Sequence, residues 1–97
     1  MRRDEAMERL RAHEAELRRL GVLSLYLFGS TARDEAGSTS DVDLFFDYRK
    51  GELGLFELMD LKDYARDLLG TPVDIMTRDS LHKALRERIE VTALRVF

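Results

Sequence analysis

Residues 27–47 read LFGSTARDEAGSTSDVDLFFD. An apolar run stops at Gly29-Ser30, ten residues intervene, and Asp41-Val42-Asp43 opens a second apolar run. Side chains alternate along an extended segment, so Asp41 and Asp43 share one side, where their oxygens suit hard divalent cations. Magnesium usually completes its octahedral oxygen set with phosphate and water, so a DxD pair at a strand start points to a magnesium–phosphate site. Gly29-Ser30 sits where a strand hands over to a helix. Backbone N–H groups and the positive helix end converge there, glycine lets a phosphate come close, and the serine hydroxyl adds a donor. If the two strands are neighbours, this anion cradle faces the carboxylates, and a magnesium-bridged nucleoside triphosphate fits both halves. Each half also has a plainer reading: Gly-Ser as a strand-ending turn, Asp41 as a turn cap and Asp43 as a surface residue beside a core strand.

Outward from this stretch, the spacing predicts an amphipathic helix over Asp4–Leu20, ended by Gly21, and a buried strand over Val22–Phe28. TARDEA makes a short helix before the loop at 37–40, and the next strand runs from about Val42 to Tyr48. Leu55, Leu58, Met59, Leu61, Ala65, Leu68 and Leu69 form the apolar stripe of a second long helix closed by Gly70, which Pro72 keeps from continuing. VDIMT at 73–77 is a third strand. Asp79 or Ser80 caps a last helix through about Glu90, and TALRVF adds an edge strand or a docked tail. The order predicts one α/β (α+β) domain over residues 1–97, a small sheet of three to four strands layered with helices.

The chain of 97 residues is 44% hydrophobic and 36% charged, with no cysteine, which rules out disulfides, a thiolate nucleophile and a thiolate zinc site. No apolar stretch approaches the roughly 20 residues of a membrane span, and the charged start is unlike a signal peptide, so the expected compartment is the cytoplasm. Of the net charge of −3, residues 21–77 carry roughly −6 while both flanks are slightly positive. An acidic centre disfavours nucleic acid as a direct partner and suits divalent cations. His13 and His82 have no neighbour at metal-ligand spacing and read as solvated or half-buried. Tyr26, Phe28, Phe45 and Phe46 fall in strands and read as core.

Asp74 is the third candidate carboxylate. It lies in an otherwise apolar strand and faces either solvent, as on an exposed edge, or the same site. Three carboxylates around two metals suit in-line phosphoryl or nucleotidyl transfer, with one of them taking the proton of the attacking hydroxyl.

Gly29-Ser30, ten residues and Asp41-Val42-Asp43 match the GSx10DxD signature of the polymerase-β nucleotidyltransferase superfamily, and FGSTARDEAGSTSDVDLFF resembles its minimal, MNT-type branch over nearly the whole chain. The resemblance implies a polymerase-β-like mixed sheet. It also implies that Gly29 and Ser30 bind the β- and γ-phosphates of ATP, that Asp41 and Asp43 ligate two Mg2+ ions, and that Asp74 orients and deprotonates the acceptor hydroxyl. Arg33 falls in the Gly-Ser-x-Ala-Arg element and either neutralises phosphate charge or pairs with an acidic neighbour such as Asp47. Asp34 stands where many relatives carry glycine, which leaves the shape of that loop open.

Minimal members are similar to the antitoxin of MNT/HEPN toxin–antitoxin modules, some of which transfer AMP to a tyrosine of an all-helical HEPN ribonuclease. The larger relatives append a helical acceptor domain for which this chain is too short, so the expected acceptor comes from another polypeptide or another copy. Two rivals remain: the same fold acting by occlusion alone, and a phosphohydrolase of the haloacid-dehalogenase kind. In the latter the DxD pair follows its hydrophobic strand, whereas Leu44, Phe45 and Phe46 come after the carboxylates here.

Overall fold

The apolar runs on either side of the Gly-Ser break pair with each other. In the computed structural model, which describes residues 1–35 and 41–97, β1 (Ser24–Phe28) lies antiparallel to β2 (Val42–Asp47), with Phe28 opposite Asp43 and Ser24 opposite Asp47. The loop at 37–40 falls outside the described residues. Helix α4 (Leu55–Leu69) carries the chain back so that β3 (Val73–Thr77) can join β2 in parallel. Gly70 ends α4 in the left-handed conformation at φ 65°, and Pro72 follows at the turn into β3. A two-residue strand β4 (Leu94–Arg95) closes the other edge against β1, giving the order β3-β2-β1-β4.

Alternation divides the sheet into an apolar face and a polar one. Leu25, Leu27, Val42, Leu44, Phe46 and Ile75 point into one core with Ala6 and Leu10 of α1 (Arg3–Ala12), Leu17 of α2 (Glu14–Arg19), and Leu61 and Leu69 of α4. The opposite face presents Asp43, Phe45 and Asp47 from β2, beside Phe28 and Tyr26 from β1. Phe45 is buried on that side under Tyr26, whose ring stacks on it at 4.8 Å, and under Phe28 at 5.7 Å.

The strand expected from Val22 begins at Ser24, and the first and last helices differ from the sequence reading. The single helix expected over Asp4–Leu20 is broken at His13, which has φ −114° and ψ 23°. Its Nδ1 donates to the Arg9 carbonyl at 2.8 Å, the acceptor its backbone N–H would use in an α-helix, and that N–H turns to Leu10 O at 3.2 Å instead. The last helix starts later than Asp79 or Ser80. Ser80 Oγ is engaged with Thr77 Oγ1 at 2.7 Å, residues Arg78–Ser80 form a 3-10 turn, and α5 (Lys83–Thr92) is capped by His82, whose Nδ1 accepts from Ala84 N–H at 3.2 Å. No side chain of α5 is buried.

Candidate active site

The register of the three strands assembles the site. Asp43 is the Cα partner of Phe28 on one side and of Asp74 on the other, so Asp43 and Asp74 point to the same face from adjacent strands. Asp41 precedes β2 and shares that face by alternation. Asp43 is half-buried, whereas Asp41 and Asp74 are exposed. Asp74 lies on the edge strand β3 and is exposed, as the plainer reading expected, while its register partner on the same face is Asp43.

Gly29 fits against this row from the β1 side. Its φ of +75° falls in the left-handed region, and a Cβ there would run into the Oδ2 of Asp43, with Asp43 Cγ only 3.1 Å away. The helix expected over TARDEA begins earlier, at Gly29 itself, as the single turn α3 (Gly29–Ala32). The N–H groups of this first turn have no carbonyl inside the helix to bond. Gly29 and Ser30 thus open a helical turn directly beside a carboxylate.

Burial raises the carboxyl of Asp43 above its ordinary range, the charges of Asp74 and Asp41 raise it further, and Arg33 works in the opposite direction. Asp43 therefore feels the charge of both other acids. Among the described residues no three acidic or imidazole groups close into a metal cage. An open, all-oxygen set is nonetheless what magnesium requires, because it draws most of its ligands from phosphate and water. The donor chemistry and the acidic neighbours around Asp43 fit such an ion.

Arg33 lies within electrostatic reach of Asp43, and its Nε donates to Glu35 at 3.0 Å. The acidic neighbour that Arg33 pairs with is thus Glu35 and not Asp47. Asp47 sits at the far end of β2, where Arg78 holds both its oxygens at 2.7 and 2.9 Å. Arg78 also donates to Glu90 at 2.8 Å and lies over the rings of Tyr26 and Phe45 at 4.8 and 5.0 Å. The sequence reading did not single out Arg78, although period-two counting from Asp74 through Met76 puts it on the same face. Asp34 adopts φ 58°, the left-handed conformation for which glycine is the default residue, and its Oδ1 accepts the N–H of Arg3 at 3.1 Å. The replacement of glycine is thus accommodated at that turn.

The nucleotidyltransferase domain family model matches residues 10–96. The chain belongs to the nucleotidyltransferase domain family. Of its relatives, a Methanocaldococcus jannaschii protein provisionally designated a protein adenylyltransferase (MJ1217) is 42% identical over 79 residues, 80% of each chain. Protein adenylyltransferase MntA of Thermococcus cleftensis is 37% identical over 81 residues, 82% of this chain and 81% of its own. A solved structure described provisionally as a minimal nucleotidyltransferase superposes with TM-score 0.84 at 33% identity, covering 97% of this nucleotidyltransferase and 95% of the other chain. The fold is shared with a chain of the complex between a tri-AMPylated Shewanella oneidensis HEPN toxin and its MNT antitoxin. There the TM-score is 0.66 at 17% identity, over 94% of this chain and 71% of that one.

Proposed function

We propose that this nucleotidyltransferase is a magnesium-dependent protein adenylyltransferase that moves AMP from ATP onto a tyrosine hydroxyl of a HEPN ribonuclease, and so serves as its antitoxin in the cytoplasm. The observation that carries the reading is the row Gly29, Asp43, Asp74, in which a glycine that opens a helical turn packs directly against one of two carboxylates in register. The names of the 42% and 37% identical relatives support protein adenylylation, and the HEPN complex with the same fold supports the partner.

Gly29 and Ser30 hold the β- and γ-phosphates with backbone N–H groups and the serine hydroxyl. Asp41 and Asp43, with Asp74 contributing, would hold two magnesium ions. Magnesium, when bound, supplies charge stabilisation at the entering and leaving oxygens. Asp74, on the open rim, takes the proton of the acceptor hydroxyl as its oxygen bonds to the α-phosphorus. The bond from that phosphorus to the β-phosphate oxygen breaks, and Gly29 and Ser30 retain the departing pyrophosphate. Arg33 neutralises phosphate charge from the same turn.

The test is transfer of label from α-labelled ATP to the HEPN protein. Label is expected with the wild type and lost in Asp41→Asn, Asp43→Asn and Asp74→Asn while the complex still forms. A wild-type protein that neutralises the toxin without labelling it would leave binding alone as the function.

A further inference from the structure

The sheet ends in two unlike edges. On one side β4 is two residues long and meets β1 at Tyr26 and Leu27. On the other, all five residues of β3 stand in unbroken register with β2, and Pro72 comes one place before the strand. A very short strand, a bulge, a lysine or an internal proline commonly keeps other chains off a sheet edge, and β3 has none of these. Its one charged side chain is Asp74, which stands on the catalytic face beside Asp43.

One bond fixes which way the backbone of β3 points. The Val42 N–H donates to the Pro72 carbonyl at 3.0 Å. The polar backbone groups of Asp74 and Met76, which follow Pro72 at intervals of two, therefore also turn towards β2. Those of Val73, Ile75 and Thr77 turn to the open edge. Among the described residues no backbone group bonds to the N–H of these three or to the carbonyls of Val73 and Ile75. Donors and acceptors spaced as a neighbouring strand needs them thus flank Asp74 on both sides.

We infer that the acceptor enters as an extended polypeptide segment that adds a strand antiparallel to β3, with its hydroxyl-bearing residue opposite Asp74. The inference rests on the proposed adenylyltransferase function and adds the form in which that enzyme takes its substrate. In this pairing Val73 and Ile75 exchange hydrogen bonds with the residues on either side of the acceptor. The acceptor and Asp74 then form a pair without hydrogen bonds of their own, the closer kind, with Cα atoms about 4.5 Å apart and side chains on the same face. Main-chain bonds hold the segment, and the register delivers the hydroxyl to the proposed base.

A second copy of β3 does not suit the edge as well. Paired antiparallel about Ile75, it sets Met76 opposite Asp74 and brings another Asp74 to a face that already carries Asp41, Asp43 and Asp74. Thr77, the one hydroxyl residue of β3, would stand opposite Val73, so no hydroxyl would meet the base.

The probe is a synthetic peptide spanning the hydroxyl that the wild-type protein labels from α-labelled ATP, located by mass spectrometry on the labelled polypeptide. N-methylation of the residue just before or just after the hydroxyl removes a donor to the Ile75 or Val73 carbonyl, whereas N-methylation two residues before it removes none. Each of the first two is expected to lower kcat/KM for the peptide about tenfold, the scale of one hydrogen bond, and the third to leave it unchanged. Val73→Pro, which removes a donor from the open edge, should lower labelling similarly while keeping the thermal shift given by magnesium and ATP. Equal labelling across the N-methyl series would overturn the inference, as would full labelling by a folded Val73→Pro. So would a peptide left unlabelled when its parent polypeptide is labelled, or a wild-type dimer in sedimentation that Val73→Pro dissociates, because a second copy would then cover the edge. If Val73→Pro fails to fold, the peptide series decides. Absence of label on any polypeptide overturns the catalytic reading first and this one with it, whereas labelling indifferent to N-methylation removes this one alone.

Discussion

Gly29 and Asp43 occupy one another's space so closely that only hydrogen can stand at the glycine α-carbon on that side. A Gly29→Ala substitution meets two obstacles at once, the left-handed φ of +75° and the Asp43 carboxylate. We expect a loss of about 1–3 kcal/mol in stability and loss of nucleotide binding, read by denaturant unfolding and by titration with magnesium and ATP. In the Asp43→Ala background the same substitution should cost less, since the clash with the carboxylate is gone and there remain only the backbone conformation and a 3.3 Å approach to the Cβ of residue 43.

Asp43 trades stability for charge. Burial and the neighbouring Asp74 and Asp41 raise its folded-state pKa above the value in the unfolded chain, so folding disfavours the ionised form. The penalty for ionising it is fully present above the raised folded value and is relieved as pH falls through that value towards the ordinary carboxylate range. In a chelator, Asp43→Asn is therefore expected to melt higher than the wild type at neutral pH, with the gap closing as the solution is acidified. Adding magnesium should raise the wild-type melting temperature and leave Asp43→Asn nearly unmoved. An Asn variant that melts lower than the wild type at neutral pH would contradict this account.

Arg78 joins β2, β3 and α5 through two hydrogen bonds to Asp47, one to Glu90 and contact with two aromatic faces. Its own charge is held more firmly than usual, chiefly by the bonds to Asp47. The side chain is 24% exposed, so the full penalty of a buried pair does not apply. Arg78→Ala should cost about 2 kcal/mol, with Arg78→Lys recovering less than half because an ammonium cannot reproduce the bidentate fork. Hydrogen exchange in α5 should rise in both, since no buried side chain otherwise holds that helix.

Arg33 is the converse. Its ion-pair partner Glu35 is exposed, so Arg33→Ala should change stability by no more than about 0.5 kcal/mol. Because the guanidinium opposes the negative charge at Asp43, its removal should weaken ATP binding severalfold, measured as KM for ATP at fixed acceptor. An unchanged KM would assign Arg33 to the surface pair alone.

The sheet and the site were legible to different depths. The DxD strand, the α4 stripe closed by Gly70, and VDIMT each carry a local signal, and each formed within a few residues of its expected bounds. The side-by-side placement of Asp43 and Asp74 was not readable from either strand, because parallel register across a crossover is fixed by packing. The break at His13 depended on a side chain competing for one carbonyl, which helical periodicity does not encode. Arg78 escaped for a related reason: alternation gave its face, but its partners Asp47 and Glu90 lie 31 and 12 residues away in sequence.

The division of the sheet into two faces bears on how this protein can change over generations. Leu44, Phe46 and Ile75 hold the fold together from one side, while Asp43 and Asp74 stand on the other, where burial disfavours the ionised Asp43. None of the three acids belongs to the apolar core, so their replacement leaves its packing untouched. Under the proposed function, descendants that bind without reacting are one substitution away, and selection on the reaction alone keeps Asp43 and Asp74 in place.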